Sequence, residues 1–291
     1  MTESTRRAFL QAAAGAVAMA PMAARGGELQ GSTRWKKAFM LGGLTRGPVL
    51  PTFQLLKEAG FDGVELISPN QLDQDEVLKA KAETGLQIHG VSGGVHWAKP
   101  LSDPDPAVVE AGLEAIRQEF ADCKAYGGNS VLLVPAIVTP KVSHKQAYER
   151  SQAAIRKIVP LAEEHKISLA IEEVWNKFLL TAPEFARYID EFHSPWVKAY
   201  FDVGNVVEYG YPQEWIHELG HRIAKIHIKE YNKKDRFSPK LGDGKEIDWT
   251  AIRQALVDVD YKGWITAEVG FGDLAAMKDV AARMDTILGP F

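Results

Sequence analysis

The chain has 291 residues, of which 46% are hydrophobic and 25% are charged, as is ordinary for a folded globular protein. This composition excludes a disordered chain and a collagen-like fibre, and the single cysteine, Cys123, excludes an intrachain disulfide scaffold. The net charge of −4 argues against a nucleic-acid-binding protein, because such proteins are usually basic. The length accommodates two small domains or one α/β barrel of about 250 residues.

The N-terminal segment has the pattern of an export signal. Arg6 and Arg7 directly precede an alanine-rich apolar run from Ala8 to Ala24, which is too weakly apolar for a membrane span. A twin arginine before such a run is typical of a bacterial Tat signal peptide. We therefore predict a Tat-type signal over residues 1–27, a periplasmic location, and no membrane span in the mature chain of residues 28–291. The alternative is an alanine-rich helix with a chance pair of arginines.

Eight short β-type runs alternate with helical patterns beyond residue 30. The helical pattern is clear after the fifth run, where Phe185, Tyr188 and Phe192 recur at helical spacing and Thr181 and Glu184 predict a capping box. Eight βα units predict a single (β/α)8 TIM barrel of the α/β class, over residues 28–291. The alternative, an open doubly wound sheet, lacks its glycine-rich motif after the first strand. The predicted strands are Lys37–Leu41, Gly63–Leu66, Gln87–Val91, Ser130–Val134, Ser168–Glu172, Val197–Asp202, Ile223–His227 and Gly263–Glu268.

Charged side chains stand at the carboxyl ends of the last four strands. Strands of a parallel barrel are buried on both faces, so charges at these positions need an explanation. The period of two places Ala170 and Glu172 inward and Glu173 outward, and it gives the same inward direction to three residues on the following strands. We therefore expect a cluster of Glu172, Asp202, His227 and Glu268 at one mouth of the barrel.

Three carboxylates at one mouth repel one another unless a cation lies between them. Oxygen and imidazole donors without thiolates favour one divalent metal ion, with Mn²⁺ as the first choice and Mg²⁺, Co²⁺ or Zn²⁺ as alternatives. The competing interpretation is a buried ion-pair network in which Lys198, Lys225 and Lys229 supply the positive charge.

Other polar and aromatic residues are candidates for substrate contact. Glu65 and His89 point inward on the second and third strands, where each would contact substrate or pair with an inward lysine. Trp175 follows Glu172 closely and is well placed beside a sugar. His96 and Trp97 follow the third strand, where they would form an aromatic wall or an ordinary surface loop. The basic run Lys233–Arg236 is interpreted as a solvated loop.

These residues lie in motifs that resemble the xylose-isomerase-like TIM barrels, the sugar (phosphate) isomerase/epimerase family. Its L-ribulose- and L-xylulose-5-phosphate 3-epimerases, ketose 3-epimerases and hydroxypyruvate isomerase are the most similar members. The resemblance implies one divalent metal bound by the four residues of the predicted cluster. Asn205 departs from the ketose 3-epimerases, which carry histidine there, and Lys233 stands roughly where they carry arginine. The motifs are Ile171–Phe178, Phe201–Asn205, His227–Glu230, Leu241–Gly244 and Gly263–Glu268.

The resulting functional hypothesis is a sugar isomerase or epimerase that transfers a proton beside a carbonyl through an enediolate. Glu172 and Glu268 would act as base and acid, Asn205 and Lys229 would hold substrate oxygens, and Trp175 would pack on the sugar. The alternatives are a metal-dependent lyase acting on 3-keto-glycosides and a non-catalytic periplasmic sugar-binding protein. The expected partner is a small sugar, with no nucleic acid, and the sequence leaves a homo-oligomer open.

Overall fold

Strands and helices alternate along residues 35–237 and 240–289, the part of the chain that the computed structural model describes. The predicted signal peptide of residues 1–27 lies outside these residues. Among the described helices, none combines the length and the apolar character needed to cross a membrane. The strands are β1 Trp35–Leu41, β2 Gly63–Ser68, β3 Gln87–Gly93, β4 Ser130–Leu133, β5 Ser168–Glu172, β6 Val197–Asp202, β7 Ile223–Ile228 and β8 Gly263–Ala267. The helices are α1 Val49–Ala59, α2 Gln74–Thr84, α3 Pro106–Tyr126, α4 His144–Ile155, α5 Val159–His165, α6 Ala182–Asp190, α7 Val203–Val206, α8 Pro212–Leu219, α9 Trp249–Asp258 and α10 Leu274–Leu288.

The eight strands pair in sequence order and close into a barrel. Every neighbouring pair is parallel, and β8 pairs with β1 from Trp35 opposite Gly263 to Phe39 opposite Ala267. This topology confirms the predicted (β/α)8 barrel. The predicted bounds of β5 and β6 are also confirmed, whereas β7 continues one residue further and β8 ends one residue earlier. In such a barrel the carboxyl ends of all eight strands meet at one mouth, where barrel enzymes place their sites.

The sequence pattern of a capping box occurs at the starts of both α4 and α6, but the hydrogen bonds of the box differ between the two helices. Ser143 and Gln146 form a reciprocal capping box at the start of α4. At α6 the Thr181 hydroxyl accepts a hydrogen bond from the Glu184 amide, but the Glu184 carboxylate lies 2.8 Å from Nε2 of His144. The predicted box is therefore only half right, because a neighbouring helix offers the glutamate an alternative partner.

The apolar side chains separate into two layers, as the alternation predicts. Leu169 and Ile171 of β5 belong to the large cluster between strands and helices. Ala170 belongs to a small cluster inside the barrel with Leu132 and Tyr200. Polar side chains occupy the barrel interior above and below this small cluster, and those above it form the candidate site.

Candidate metal centre

Four side chains from consecutive strands converge at the carboxyl-terminal mouth. Each offers one ligand atom, and these atoms all lie within 4.8 Å of one another. Three of the side chains are buried, while the fourth, from Glu268, is 32% exposed and faces the opening. The arrangement confirms that the predicted residues meet and that they could hold a metal ion. They are Glu172, Asp202, His227 and Glu268.

Backbone pairing sets these side chains at similar height. Asp202 lies directly opposite His227 in the β6–β7 register, and the Glu268 amide donates to the carbonyl of Ile228. Asp202 also caps α7, since its Oδ1 accepts a 2.9 Å hydrogen bond from the Asn205 amide. This bond fixes the carboxylate and leaves Oδ2 turned toward the cluster.

Lys229 enters the cluster because the neighbouring backbone carries no side chain. A Cβ on Gly204 would lie 2.5 Å from Cγ of Lys229, so any larger residue would displace the lysine. The Lys229 ammonium lies 2.9 Å from Oδ2 of Asp202 and 2.6 Å from Oε2 of Glu268. The alternative ion-pair network is therefore realised by one lysine. Lys198 and Lys225 lie at the opposite mouth of the barrel.

Both ring nitrogens of His227 face carboxylates. Nδ1 lies 3.1 Å from Oε1 of Glu172 and 3.6 Å from Oε2 of Glu268. Nε2 lies 3.4 Å from Oε1 of Glu65, whose other oxygen accepts the Tyr200 hydroxyl. Histidine ligands of metals commonly present their second nitrogen to a carboxylate, which fixes the tautomer and the ring orientation. Glu65 has the position of such a support.

The electrostatics of the cluster indicate a deficit of positive charge. Burial raises the pKa of Glu172 and raises that of Asp202 to about 6, although Lys229 opposes both shifts. Burial lowers the pKa of His227, but Glu65, Glu172 and Glu268 together hold it well above its usual value. Each shift follows from carboxylates crowded in a poorly hydrated space.

The donors fit a divalent cation. Oδ2 of Asp202 is buried, has the Lys229 ammonium at 2.9 Å as its cationic neighbour, and faces the other ligand atoms. Three carboxylate oxygens and one imidazole nitrogen suit Mn²⁺, Mg²⁺, Co²⁺ or Zn²⁺. A cation among them would offset the repulsion that one lysine and one histidine only partly balance.

A cleft of about 360 Å³ opens above the cluster. Three predicted substrate contacts, Trp175, Asn205 and Lys229, line it. Glu65 and His89, also predicted to contact substrate, are absent from its lining and are completely buried on the barrel side of the cluster. The structure therefore places these two residues behind the candidate metal centre. The aromatic side chains of the predicted wall, His96 and Trp97, do reach the cleft.

Two residues near the site, Glu173 and Arg236, are not identified as site residues from the sequence. The alternation directs Glu173 outward, away from the cluster, yet Glu173 is buried and accepts a 2.8 Å hydrogen bond from the Asp202 amide. Burial, reinforced by Asp202, raises its pKa well above the usual value. The sequence predicts that Arg236 lies in a solvated loop. In the structure its guanidinium lies 4.6 Å from the ring centroid of Trp175. A carboxylate pair in sequence was a usable signal for Glu173, whereas nothing local signals the stacking of Arg236.

Comparison with known proteins agrees with this geometry. Residues 53–286 match the family described as the xylose isomerase-like TIM barrel. The chain belongs to this family. It is 25% identical to the L-ribulose-5-phosphate 3-epimerase UlaE of Salmonella heidelberg (strain SL476), over 81% of this chain and 89% of that protein. The enzyme class predicted from the sequence, a sugar isomerase or epimerase, is thereby confirmed.

Solved structures show the same fold at lower identity. The structure of an L-ribulose 3-epimerase aligns with a TM-score of 0.75 at 20% identity, over 87% of this chain and 94% of that one. The 3-keto-D-glucoside 4-epimerase YcjR of E. coli aligns with a TM-score of 0.73 at 20% identity, over 87% of this chain and 99% of that one. At these identities the likeness establishes the fold alone.

Proposed function

We propose that the protein is a divalent-metal-dependent sugar epimerase or isomerase that moves a proton beside a carbonyl. The observation that carries the proposal is the meeting of three carboxylates and one imidazole within 4.8 Å at the floor of an open cleft. When bound there, a divalent cation supplies Lewis-acid polarisation of a carbonyl. Oxygen and nitrogen donors without sulfur suit Mn²⁺, which we take as the first metal to test, and also Mg²⁺, Co²⁺ or Zn²⁺.

Glu172 and Glu268 are the residues that would move the proton. Burial raises the pKa of Glu172 toward neutrality, which suits a carboxylate that both accepts and returns a proton. Glu268 lies at the open side of the cluster, with its Oε2 accepting from Lys229. Removal of a proton by one carboxylate gives an enediolate. Return by the other carboxylate to the same carbon inverts it, and return to the adjacent carbon gives the isomeric sugar.

Neighbouring side chains would hold the sugar in the cleft. The Trp175 ring is fixed by a 2.9 Å hydrogen bond from its Nε1 to the carbonyl of Asn205. A fixed indole suits packing against the C–H face of a sugar ring. Lys229 and Asn205 line the same cleft, where their N–H groups would contact sugar hydroxyls.

A second candidate function, elimination on 3-keto-glycosides, is favoured by a specific observation. A further cleft of about 660 Å³ adjoins the first, shares Glu268 and Phe237 with it, and is mainly apolar. This space exceeds what a free monosaccharide needs and suits the substituent of a glycoside. Loss of the proton beside the 3-keto group would then be followed by cleavage of the bond to the anomeric oxygen, which leaves with the electron pair and is protonated.

Proton NMR in D₂O tests both functions with one experiment. The Mn²⁺-loaded protein is incubated with ketoses or with 3-keto-glycosides, the metal is then removed with chelator, and deuterium is sought at the carbon beside the carbonyl. Exchange in the wild type, its loss in Glu172→Gln and its retention in the exposed control Glu149→Gln support the proposal. The product, an epimer, an isomer or a released substituent, identifies the reaction. Unchanged sugars without exchange would contradict catalysis and favour a sugar-binding protein.

A further inference from the structure

The amino-terminal mouth of the barrel holds a second polar cavity, at the opposite end of the strands from the carboxylate cluster. Its volume is about 580 Å³, and its lining comes from residues at the beginning of the strands. The lining contains four lysines and one histidine and, among the described residues, no aspartate or glutamate. The residues that matter for binding are Lys36, Asn129, Ser168, Lys198, Lys225 and Trp264.

The strand alternation directs three of these lysines inward. Lys198 has the inward parity of Tyr200 and Asp202 on β6, and Lys225 has that of His227 on β7. Lys36 alternates with Trp35 and Lys37, which face the helices. The lowest layer of the barrel interior, which is usually filled by branched apolar side chains, therefore carries the buried ammonium of Lys225, and Lys36 and Lys198 lie on its solvent side.

Lys225 is the decisive member of this group. It is 3% exposed, and in the described part of the chain no hydrogen bond or ion pair to its ammonium is recorded. Its Nζ lies 5.9 Å from the ring centroid of Trp264, and Nζ of Lys36 lies 5.2 Å from the same centroid. A buried ammonium with no carboxylate in ion-pair contact is costly, and a second ammonium beside the same ring increases the cost.

Neutral donors complete the cavity. Ser168 and Asn129, whose side chains carry a hydroxyl and an amide, also line it, together with Trp264. Lys198 donates a 3.1 Å hydrogen bond to the carbonyl of His221, which holds its ammonium at the rim. A cavity lined by several lysines and neutral hydrogen-bond donors, without a lining carboxylate, is suited to binding a phosphate dianion.

We propose that this amino-terminal mouth binds the phosphate group of a small phosphorylated molecule, with Lys225 at the bottom and Lys36 and Lys198 at the rim. The phosphate oxygens offset the ammonium charge of Lys225, which no carboxylate of the described residues contacts. The carbon part of the ligand occupies the rest of the cavity against Trp264. The proposal is independent of the chemistry at the opposite mouth.

Titration calorimetry on the full chain tests the proposal with inorganic phosphate and glycerol phosphate as probes, in chloride buffers of constant ionic strength. We expect one saturable site per chain, with glycerol phosphate binding at least as tightly as inorganic phosphate. Lys225→Met and the rim variant Lys198→Met should each weaken binding roughly tenfold or more, since each removes a charged hydrogen bond. Lys145→Met, at an exposed lysine of α4, should bind like the wild type.

Several results would overturn the proposal. They are the absence of saturable binding, equal affinity in all variants, or binding of inorganic phosphate with exclusion of glycerol phosphate. Crystals soaked in arsenate locate the site by anomalous scattering. A peak between Lys198 and Lys225 supports the proposal, and a peak confined to the carboxylate mouth refutes it.

Discussion

The two mouths of this barrel carry opposite charge on the same strands. Strand β6 places Lys198 at its beginning and Asp202 at its end, and β7 places Lys225 and His227 two residues apart. At the carboxyl-terminal mouth, carboxylates outnumber their cationic neighbours. At the amino-terminal mouth, four lysines line the cavity without a lining carboxylate among the described residues, although Lys262 pairs with Asp260 beside it. Each mouth concentrates one sign of charge, so each is suited to a ligand of the other sign.

The layer between the mouths keeps the two sets apart. Tyr200, buried between them on β6, donates its hydroxyl to Glu65. His89 stacks on Trp264 at 4.8 Å, and its Nε2 lies 3.1 Å from the hydroxyl of Thr266. The inward-facing residues of one set of strands can therefore serve two sites when a packed polar layer separates the two mouths.

The loss of one metal ligand at the carboxylate mouth should have the strongest consequence. Asp202→Asn should lower the affinity for Mn²⁺ by more than about 100-fold, because losing a ligand should exceed the 10–100-fold cost typical of losing a supporting group. Calorimetric titration with Mn²⁺ measures this. Asp75→Asn, an exposed change in α2, is the control. Equal Mn²⁺ affinity in both variants would show that the four residues are not a metal site.

A weaker loss of metal affinity is expected when Glu65, which supports the His227 ring behind the cluster, is changed. Glu65→Gln should weaken Mn²⁺ binding roughly 10–100-fold through the loosened His227 ring, while KM at saturating Mn²⁺ stays near the wild-type value. The assay uses the sugar identified by deuterium exchange. The opposite pattern, a raised KM with unchanged metal affinity, would support the direct substrate contact that the sequence predicts for Glu65.

A smaller effect is expected at the lysine mouth. In phosphate-free buffer, Lys225→Met should raise the free energy of unfolding by about 1–3 kcal/mol, because a buried charge without a partner is replaced by an apolar chain of similar length. Urea denaturation of the metal-free protein measures the change. The exposed Lys145→Met variant should leave stability near the wild-type value. A loss of stability in Lys225→Met would indicate an internal partner for this ammonium.

The last prediction concerns Glu119, a buried carboxyl that belongs to neither the metal cluster nor the lysine cavity. Glu119 of α3 is buried, and burial, together with Asp122, raises its pKa well above the usual value of 4.5. Below that usual value the carboxyl is protonated in both the folded and the unfolded chain, so it favours neither. As the pH rises, the unfolded chain ionises first and the folded protein loses stability.

Glu119→Gln removes this dependence on pH. The stability difference between variant and wild type should therefore be smallest near pH 4 and grow in favour of the variant toward pH 8. Urea denaturation at several pH values measures it, with the exposed Glu149→Gln as control. A difference that is constant with pH would mean that Glu119 ionises equally in both states.

Local patterns in the sequence determined most of the barrel and the members of the metal cluster. Eight apolar runs separated by helical patterns predict the strands, and the period of two correctly directs Glu172 inward. This works because a strand has two faces and a parallel barrel buries both, so a charge at a strand end stands out. The family motifs lead to the same four residues.

Tertiary structure decided which polar residues touch one another. Glu65 and His227 lie on strands far apart in sequence, and barrel closure brings their side chains to 3.4 Å. Arg236 reaches Trp175 from another loop. The alternation along a strand predicts whether each side chain points inward or outward. It does not predict which residues of other strands lie beside that side chain. It therefore predicts that Lys225 faces inward, whereas barrel closure brings Lys36 and Lys225, from strands far apart in sequence, over the same Trp264 ring.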